Sequence, residues 1–115
     1  MKVQFRRSKL FGETLAKHKE VGAKLAEFVK FKSDDPLGRF GKKDQHFQGD
    51  GPLKATGLIH AHLTQDISIL YKRSGKDPMF MDLVAVLSHA ELGTGDPANP
   101  KQQKKIAKVM IDQEF

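Results

Sequence analysis

A β-strand that ends in a tight turn is indicated by Leu58-Ile59-His60-Ala61-His62-Leu63-Thr64-Gln65-Asp66. Successive residues of a strand face opposite sides of a sheet. Ile59, Ala61 and Leu63 therefore form one face, and the two histidines share the other. The apolar face suits a core, which leaves His60 and His62 on the more open surface. Because histidine exchanges protons near neutral pH, this surface is a candidate site of acid–base chemistry.

Three strands in series are predicted in this half of the chain, at residues 55–64, 67–73 and 79–88. The connections at residues 64–66 and 74–78 are short and rich in turn-forming residues, which implies an antiparallel meander. The unbroken apolar run at residues 83–87 is typical of a central strand covered on both faces. His89 follows this strand, and its distance from His62 depends on a strand order that the sequence does not fix.

An N-terminal strand and a helical hairpin are predicted before the meander. Val3 and Phe5 alternate with polar neighbours, and from Ser8 onward apolar residues recur every three or four positions, as in an amphipathic helix. Ser8 suits the N-cap, and the helical pattern stops ahead of Pro36. We expect this segment to break into two antiparallel helices within residues 19–22.

Two less regular segments flank the predicted sheet. Residues 34–53 are rich in Gly, Asp, Lys and Gln and lack periodicity, which indicates a long loop around His46. Residues 93–100 form a linker into a last helix, with Asn99 as its N-cap and Pro100 at its first position. Its apolar side is predicted to comprise Ile106, Val109 and Met110, and its opposite side carries Lys101, Lys104, Lys105 and Lys108.

The composition is that of one globular domain with a basic surface. The 115 residues suffice for a single core, and 38% hydrophobic with 30% charged residues suits neither a disordered nor a membrane chain. The absence of cysteine excludes disulfides and thiolate metal sites and fits a cytoplasmic protein. The net charge of +6 predicts attraction to polyanions, and residues 1–43 carry most of it, with 12 Lys and Arg against 5 Asp and Glu.

Three interpretations of the histidine-bearing surface are open. In the first, the histidines are ordinary surface residues. In the second, His60 and His62 bind a metal ion with a third ligand, His89 or Asp66. In the third, these groups supply an acid, a base and electrostatic stabilisation for cleavage of an RNA phosphodiester, in which the 2′-hydroxyl is the nucleophile and no metal is required.

The third interpretation also needs cations that hold the phosphate as negative charge builds up. We predict these RNA-binding residues to be Lys42, Lys43, Lys54, Lys72 and Arg73. Other catalytic signatures are missing, since there is no cysteine, no Gly-x-Ser-x-Gly and no phosphate-binding loop with Gly-Lys-Ser/Thr. His18 lies on the helical stripe and is expected to be a half-buried structural residue rather than a ligand.

The order of a strand, a helical hairpin, a long loop and a three-stranded meander resembles that of the RelE/YafQ superfamily of bacterial toxins. Three segments carry the resemblance. Lys43-Asp44-Gln45-His46-Phe47-Gln48-Gly49 is similar to the family's charged loop, and residues 60–72 are similar to its segment Ala-His-Val-x-x-Asp-Trp-x-x-Ile-Tyr. Leu87-Ser88-His89-Ala90-Glu91-Leu92 is similar to its closing Gly-x-His-x-x-Leu-Phe. With the order of elements included, the resemblance covers about residues 2–93 and leaves the last helix outside it.

The resemblance implies a ribosome-dependent ribonuclease that cuts mRNA in the ribosomal A site without a cofactor and is held inactive by a cognate antitoxin. The positions that match the family's catalytic residues are His46, His62, Asp66 and His89. His89 is implied as the general acid, with His62 and Asp66 sharing the base and orienting roles. His60 matches no catalytic position. The gyrase-poisoning relatives lack this histidine set, so its presence argues against that branch.

The chain departs from the family pattern at three positions. The tryptophan after the aspartate is Ile67, the aromatic after the closing leucine is Gly93, and the arginine four residues before the last histidine is Ala85. That arginine is a natural phosphate clamp, so Arg73 or a lysine has to replace it, or else the activity is weak.

We therefore expect an α+β fold in which an N-terminal strand and helical hairpin pack on an antiparallel sheet, as in RelE/ParE-like proteins. Residues 1–92 are predicted to form the toxin-like domain, and residues 93–115 to add a linker and an extra C-terminal helix to it. The alternative to a nuclease is a non-catalytic protein of the same fold that binds a protein or nucleic-acid partner.

Overall fold

The computed structural model describes residues 2–115 and shows a five-stranded sheet between two layers of helix. The strands are β1 (Val3–Arg7), β2 (Gln45–His46), β3 (Ile59–His62), β4 (Ile67–Ser74) and β5 (Met79–Ser88). The helices are α1 (Lys9–Lys17), α2 (Gly22–Asp34), α3 (Pro52–Ala55), α4 (His89–Leu92) and α5 (Pro100–Ile111), and a short 3-10 helix at Lys19–Val21 separates α1 from α2.

The strand order across the sheet is β1-β5-β4-β3-β2. β1 runs parallel to β5, and every other neighbouring pair is antiparallel. The predicted meander of β3, β4 and β5 is therefore confirmed. β5 lies between β1 and β4, and its residues 81–87 are all buried, which confirms the covered central strand.

The helical hairpin begins and breaks where the sequence predicts. The Ser8 hydroxyl caps α1 by accepting a hydrogen bond from the backbone N–H of Phe11 (3.0 Å), and it donates one to the carbonyl of Val84 in β5 (2.8 Å). The cap thus joins the start of the hairpin to the sheet. The break falls between Lys17 and Gly22, and α2 ends at Asp34, ahead of Pro36.

Each face of the sheet has its own apolar core. The hairpin covers the face that includes Ile59, Ala61 and Leu63, as predicted. The other face is covered by α3, α4 and α5, which contribute Leu53, Leu92, Ala107 and Met110. The last helix therefore packs on the sheet. The prediction for Val109 is wrong: this side chain is 39% exposed, and the smaller Ala107 lies in the contact instead.

Two boundaries around residues 34–58 also differ from the prediction. The first meander strand begins at Ile59 rather than at residue 55, because Pro52 starts the short helix α3 and Gly57, with a φ of 72°, turns the chain after it. The predicted loop contains β2, a two-residue strand on the edge of the sheet. Two residues are too few to show a strand's alternation in sequence.

A buried ion pair anchors this loop. The Asp44 carboxylate accepts hydrogen bonds from the Lys32 ammonium, from the Tyr71 hydroxyl and, at 2.8 Å, from the backbone N–H of Phe40. The same ammonium donates to the carbonyl of Gly38 at 2.5 Å. Burial, followed by the hydrogen bond to Asp44, raises the pKa of Tyr71 above its usual value. The cluster ties α2, the loop and β4 together, just ahead of β2.

Replacing Asp44 with alanine should lower the free energy of unfolding by about 3–5 kcal/mol, because it leaves the Lys32 ammonium buried without a counter-charge. Urea unfolding followed by circular dichroism measures this loss. The matched control is Asp50→Ala, an exposed aspartate of the same loop, which should change the free energy by no more than about 0.5 kcal/mol. A loss below about 1 kcal/mol for Asp44→Ala would contradict the anchoring role.

Candidate active site

The fold brings His62 and His89 together at one end of the sheet. Strand pairing sets His62 opposite Ser68 in β4, and Ser68 opposite Leu87 in β5. The chain then turns into α4, and the rings of His62 and His89 meet edge to face with centroids 5.6 Å apart. His60 lies two residues before His62 on the same face, with its ring centroid 6.1 Å from that of His62.

Asp66 joins this pair from the turn between β3 and β4. One carboxylate oxygen lies 3.4 Å from Nδ1 of His89 and accepts a hydrogen bond from the backbone N–H of His89 at 3.2 Å. The backbone carbonyl of Asp66 accepts from the same N–H at 3.1 Å. These contacts fix the first residue of α4 against the turn and place the carboxylate beside the imidazole.

A cavity of about 390 Å³ opens at this cluster. Its walls combine the imidazoles, one cation and small polar side chains. The residues that line it are Lys43, Phe47, His60, His62, Gln65, Ser68, His89, Leu92 and Thr94. Gln65, Ser68 and Thr94 are polar groups that sequence reasoning missed, since they come from a turn, a strand and a linker that only the folded structure brings to one cavity.

His60 is held neutral by its surroundings. Its ring stacks on Phe47, with centroids 4.3 Å apart and planes inclined by 10°. Burial, followed by the nearby charges of His62 and Lys43, lowers the pKa of His60 to about 4. At neutral pH this imidazole is therefore uncharged, and its stacking on Phe47 identifies it as part of the cavity wall rather than as a proton donor.

His62 has a lowered pKa as well. The causes are burial first, then the charges of His89 and Lys43. A histidine whose pKa lies below 6.5 is mostly neutral at pH 7, so one ring nitrogen of His62 is free to accept a proton. This is the protonation state that a general base requires.

The structure does not bring His46 into this cluster. His46 lies on the edge strand β2 opposite Ile59, and directly opposed residues of an antiparallel pair face the same side of the sheet. Its side chain therefore lies on the face away from His60 and His62. It is exposed and does not line the cavity, although its charge contributes to the lowered pKa of His60.

The predicted RNA-binding cations are dispersed. Lys43 lines the cavity, and Lys42 and Lys54 are exposed. Arg73 lies five residues along β4 from Ser68, roughly 17 Å away. It donates instead to the carbonyl of Pro36 at 3.3 Å.

Arg73 therefore does not take the place of the phosphate-binding arginine, whose position in this chain is occupied by Ala85. Lys72 does not line the cavity, and its ammonium lies 5.0 Å from the ring centroid of Phe115. Of the predicted cations, Lys43 alone lines the cavity.

A contact between His18 and Glu91, which the sequence did not predict, holds α4 in place. His18, half-buried as predicted, lies with Nε2 2.6 Å from a carboxylate oxygen of Glu91. Glu91 also accepts from the backbone N–H of Ser88 at 2.9 Å, completing a capping box at the start of α4. Burial raises the pKa of Glu91, but the hydrogen bonds from Ser88 and His18 outweigh it and leave a net lowering.

Within residues 2–115, no three His, Asp or Glu side chains are placed to hold a metal ion. The set proposed for a metal, His60 and His62 with His89 or Asp66, therefore does not form a coordination shell in this arrangement. In the same part of the chain, no helix has the length and apolarity that crossing a bilayer demands.

We expect NMR titration of the imidazoles to place the midpoint of His60 near pH 4 and that of His62 below 6.5, because burial favours the neutral rings. Phe47→Ala should raise the pKa of His60 towards 6.5, since it exposes the stacked ring to water. The control is Phe115→Ala, which removes an aromatic ring that does not line the cavity. A His60 midpoint above pH 6 in the unmodified protein would contradict the description of this wall.

Comparison with known proteins places the fold. No family model matches the sequence, and no curated protein matches it. Among solved structures, the YoeB/ParE toxin from Agrobacterium tumefaciens matches with a TM-score of 0.57 and 16% identity, covering 77% of this chain and 99% of the toxin chain. The E. coli DinJ-YafQ toxin-antitoxin complex matches with a TM-score of 0.58 and 18% identity, covering 80% of this chain and 98% of the matched chain.

Both matches take in nearly the whole of the other chain and leave about a fifth of this one without a counterpart. At these identities the likeness concerns the fold. The α+β architecture predicted from the sequence is confirmed, and the chain shares its fold with these two solved structures.

Proposed function

We propose that the protein is an endoribonuclease toxin that cleaves mRNA on the ribosome by acid–base catalysis and is inhibited by a cognate antitoxin. One observation carries this proposal: a neutral His62 and an Asp66-bound His89 face each other in a cavity that Lys43 also lines. Cleavage of RNA needs a base, an acid and a cation around one phosphate, and this cavity supplies all three.

His62 is the proposed general base. Its neutral imidazole takes the proton of the RNA 2′-hydroxyl, and the 2′-oxygen forms a bond to the adjacent phosphorus. The bond from phosphorus to the 5′-oxygen of the next nucleotide breaks. His89 acts as general acid and gives a proton to that leaving oxygen, with Asp66 holding Nδ1 so that Nε2 delivers the proton. The products are a 2′,3′-cyclic phosphate and a 5′-hydroxyl, and no further reactant is consumed.

Lys43 is the proposed phosphate contact. Lys43 lines the cavity, and its charge is one cause of the lowered pKa of both His60 and His62. A cation in this place stabilises the negative charge that builds on the phosphoryl oxygens. Lys43 offers a point charge rather than the two-pronged clamp of an arginine, so we expect a modest turnover rate.

The remaining predicted residues receive lesser roles. We assign His46, Lys42 and Lys54, all of them exposed, to contacts with the RNA backbone rather than to proton transfer. Messenger RNA on the ribosome is the proposed substrate, ribosomal RNA is a proposed contact, and a cytoplasmic location follows from both. The cognate antitoxin is proposed as the protein partner, because a matched structure is a toxin-antitoxin complex.

A second candidate is a non-catalytic protein of the same fold that binds a protein or nucleic-acid partner. One observation favours it: the position that matches the family's phosphate-binding arginine is Ala85. This residue is completely buried in the apolar core beneath α3, α4 and α5. The two candidates differ in whether His62 and His89 are needed.

Induced expression of the protein should arrest translation, and the 5′ ends of cellular mRNA should show cuts in phase with the reading frame. His62→Ala and His89→Ala should each reduce cutting by about 10²–10⁴-fold, the usual contribution of a positioned acid or base. Asp66→Ala should weaken it less, and Asp50→Ala is the matched control that should leave it unchanged. Cutting that survives both histidine substitutions would overturn their assignment as acid and base, whereas arrest without any cutting would overturn the nuclease proposal in favour of the second candidate.

The pH dependence of the cleavage rate on purified ribosomes should report the protonation of the His62 imidazole. The rate should fall on the acid side with a midpoint below 6.5, because protonation removes the base at a lowered pKa. Lys43→Gln should shift this acid limb to higher pH, since the ammonium is one cause of the lowering, and should also reduce the plateau rate. Lys76→Gln, in the β4–β5 turn, is the charge-matched control. An acid limb that stays in place in Lys43→Gln would argue against His62 as the base.

A further inference from the structure

A second cavity adjoins the candidate active site. It has a volume of about 500 Å³ and is formed by the turn after β3, the start of α4 and the linker that follows α4. Its lining residues are Asp66, His89, Ala90, Gly93, Gly95, Asp96, Pro97 and Asn99. His89 lines both cavities, so the second lies directly beyond the proposed general acid.

The first turn of α5 is fixed to the wall of this cavity. The side-chain amide of Gln102 donates to the carbonyl of Glu91 at 2.7 Å, and that of Gln103 donates to the carbonyl of Gly93 at 2.8 Å. The backbone N–H of Asn99 also donates to the carbonyl of Gly93, at 2.9 Å. Because Glu91 and Gly93 closely follow His89 in the chain, these contacts place the first turn of α5 near the proposed acid.

The outer face of α5 is a row of lysines, here named the α5 lysine stripe: Lys101, Lys104, Lys105 and Lys108. At 100° per residue they fall within one arc of about 100°, opposite the buried Met110. All four are exposed, and α5 contains no acidic residue. In the part of the chain that the structure describes, none of the four lies within ion-pair distance of a carboxylate.

The dimensions of the stripe suit a nucleic-acid strand. Lys101 and Lys108 are seven residues apart, about 10 Å along the helix axis. A stacked strand presents one phosphate for roughly every 3.4 Å of its axis, so at least two phosphates lie within reach of the stripe. Four unpaired cations on a surface next to a nucleotide-sized cavity favour a polyanion with bases over an acidic protein.

We propose that the second cavity and the α5 lysine stripe hold the RNA strand on the 3′ side of the cleaved bond. The inference rests on the proposed function, because the acid that protonates the leaving 5′-oxygen faces the downstream nucleotide. With His89 as that acid, the downstream nucleotide enters the second cavity, and the phosphates after it follow the stripe. The upstream nucleotide, which carries the 2′-hydroxyl, lies on the side of His62.

Binding of a uniformly 2′-O-methylated 12-nucleotide RNA, which lacks the attacking hydroxyl, tests the stripe in the full chain. Replacing all four stripe lysines with glutamine should weaken binding at least about fivefold near 0.1 M salt. It should also reduce the slope of log affinity against log salt by about 1.4, for two lost phosphate contacts. The charge-matched control replaces Lys9, Lys17, Lys19 and Lys30 of the helical hairpin, all exposed, and should have a smaller effect. Equal losses in the two variants would overturn the inference.

Direction is tested by crosslinking in cells. A His89→Ala protein that carries a benzophenone amino acid at position 104 is induced and irradiated, and reverse-transcription stops are mapped against the cuts of the unmodified protein. Stops on the 3′ side of the cuts support the inference, whereas stops on the 5′ side, or crosslinks to protein alone, overturn it. If the unmodified protein does not cut mRNA, the proposed function is wrong. If it cuts normally but the stripe lysines do not contact RNA, only the present inference is wrong.

Discussion

The pairing of β3, β4 and β5 is the constraint on which the rest of the site depends. Their register sets His62 level with Ser68 and Leu87, two residues before His89. The backbone N–H of His89 then bonds to both the carbonyl and the carboxylate of Asp66, which joins the end of the meander to its first turn. A shift of one residue in a strand reverses the face of all its side chains, so the cluster exists only in this register.

Rigid packing on both sides maintains that register. The helical hairpin buries one face of the sheet, and α3, α4 and α5 bury most of the other, leaving the cavity at the end where the second layer is open. The buried Lys32–Asp44 pair fixes the loop that carries Lys43 and Phe47 to the cavity. The polar groups of the site thus sit on a scaffold whose own polar contacts are satisfied, as preorganised catalysis requires.

Local patterns were sufficient to predict the scaffold. The alternation around His60, the cap at Ser8 and the apolar run in β5 each reflect a preference of the chain over a few residues, and the structure confirms all three. The edge strand β2 was too short to show a pattern. The buried lysine of α2 was missed because a single cation in an amphipathic helix normally lies in water, and only its long-range contact with Asp44 keeps it inside.

The site itself was predictable only in part. His62, Asp66 and His89 do meet, because short turns leave a meander little freedom. His46 does not join them, because its pairing opposite Ile59 places it on the other face of the sheet, and Arg73 does not, because it lies far along β4 and bonds to the carbonyl of Pro36. The supporting residues Gln65, Ser68 and Thr94 lie far apart in sequence or carry no motif, so no local signal marks them.

In the proposed reaction, two imidazoles and a carboxylate cleave RNA through its own 2′-hydroxyl. The most direct measurement of this reaction is the chemistry of the ends produced at the cut sites on purified ribosomes. We predict a 2′,3′-cyclic phosphate, or the 3′-phosphate formed when it hydrolyses, on one fragment and a 5′-hydroxyl on the other. A 5′-phosphate paired with a free 3′-hydroxyl would contradict the proposed reaction, because water rather than the RNA would then have been the nucleophile.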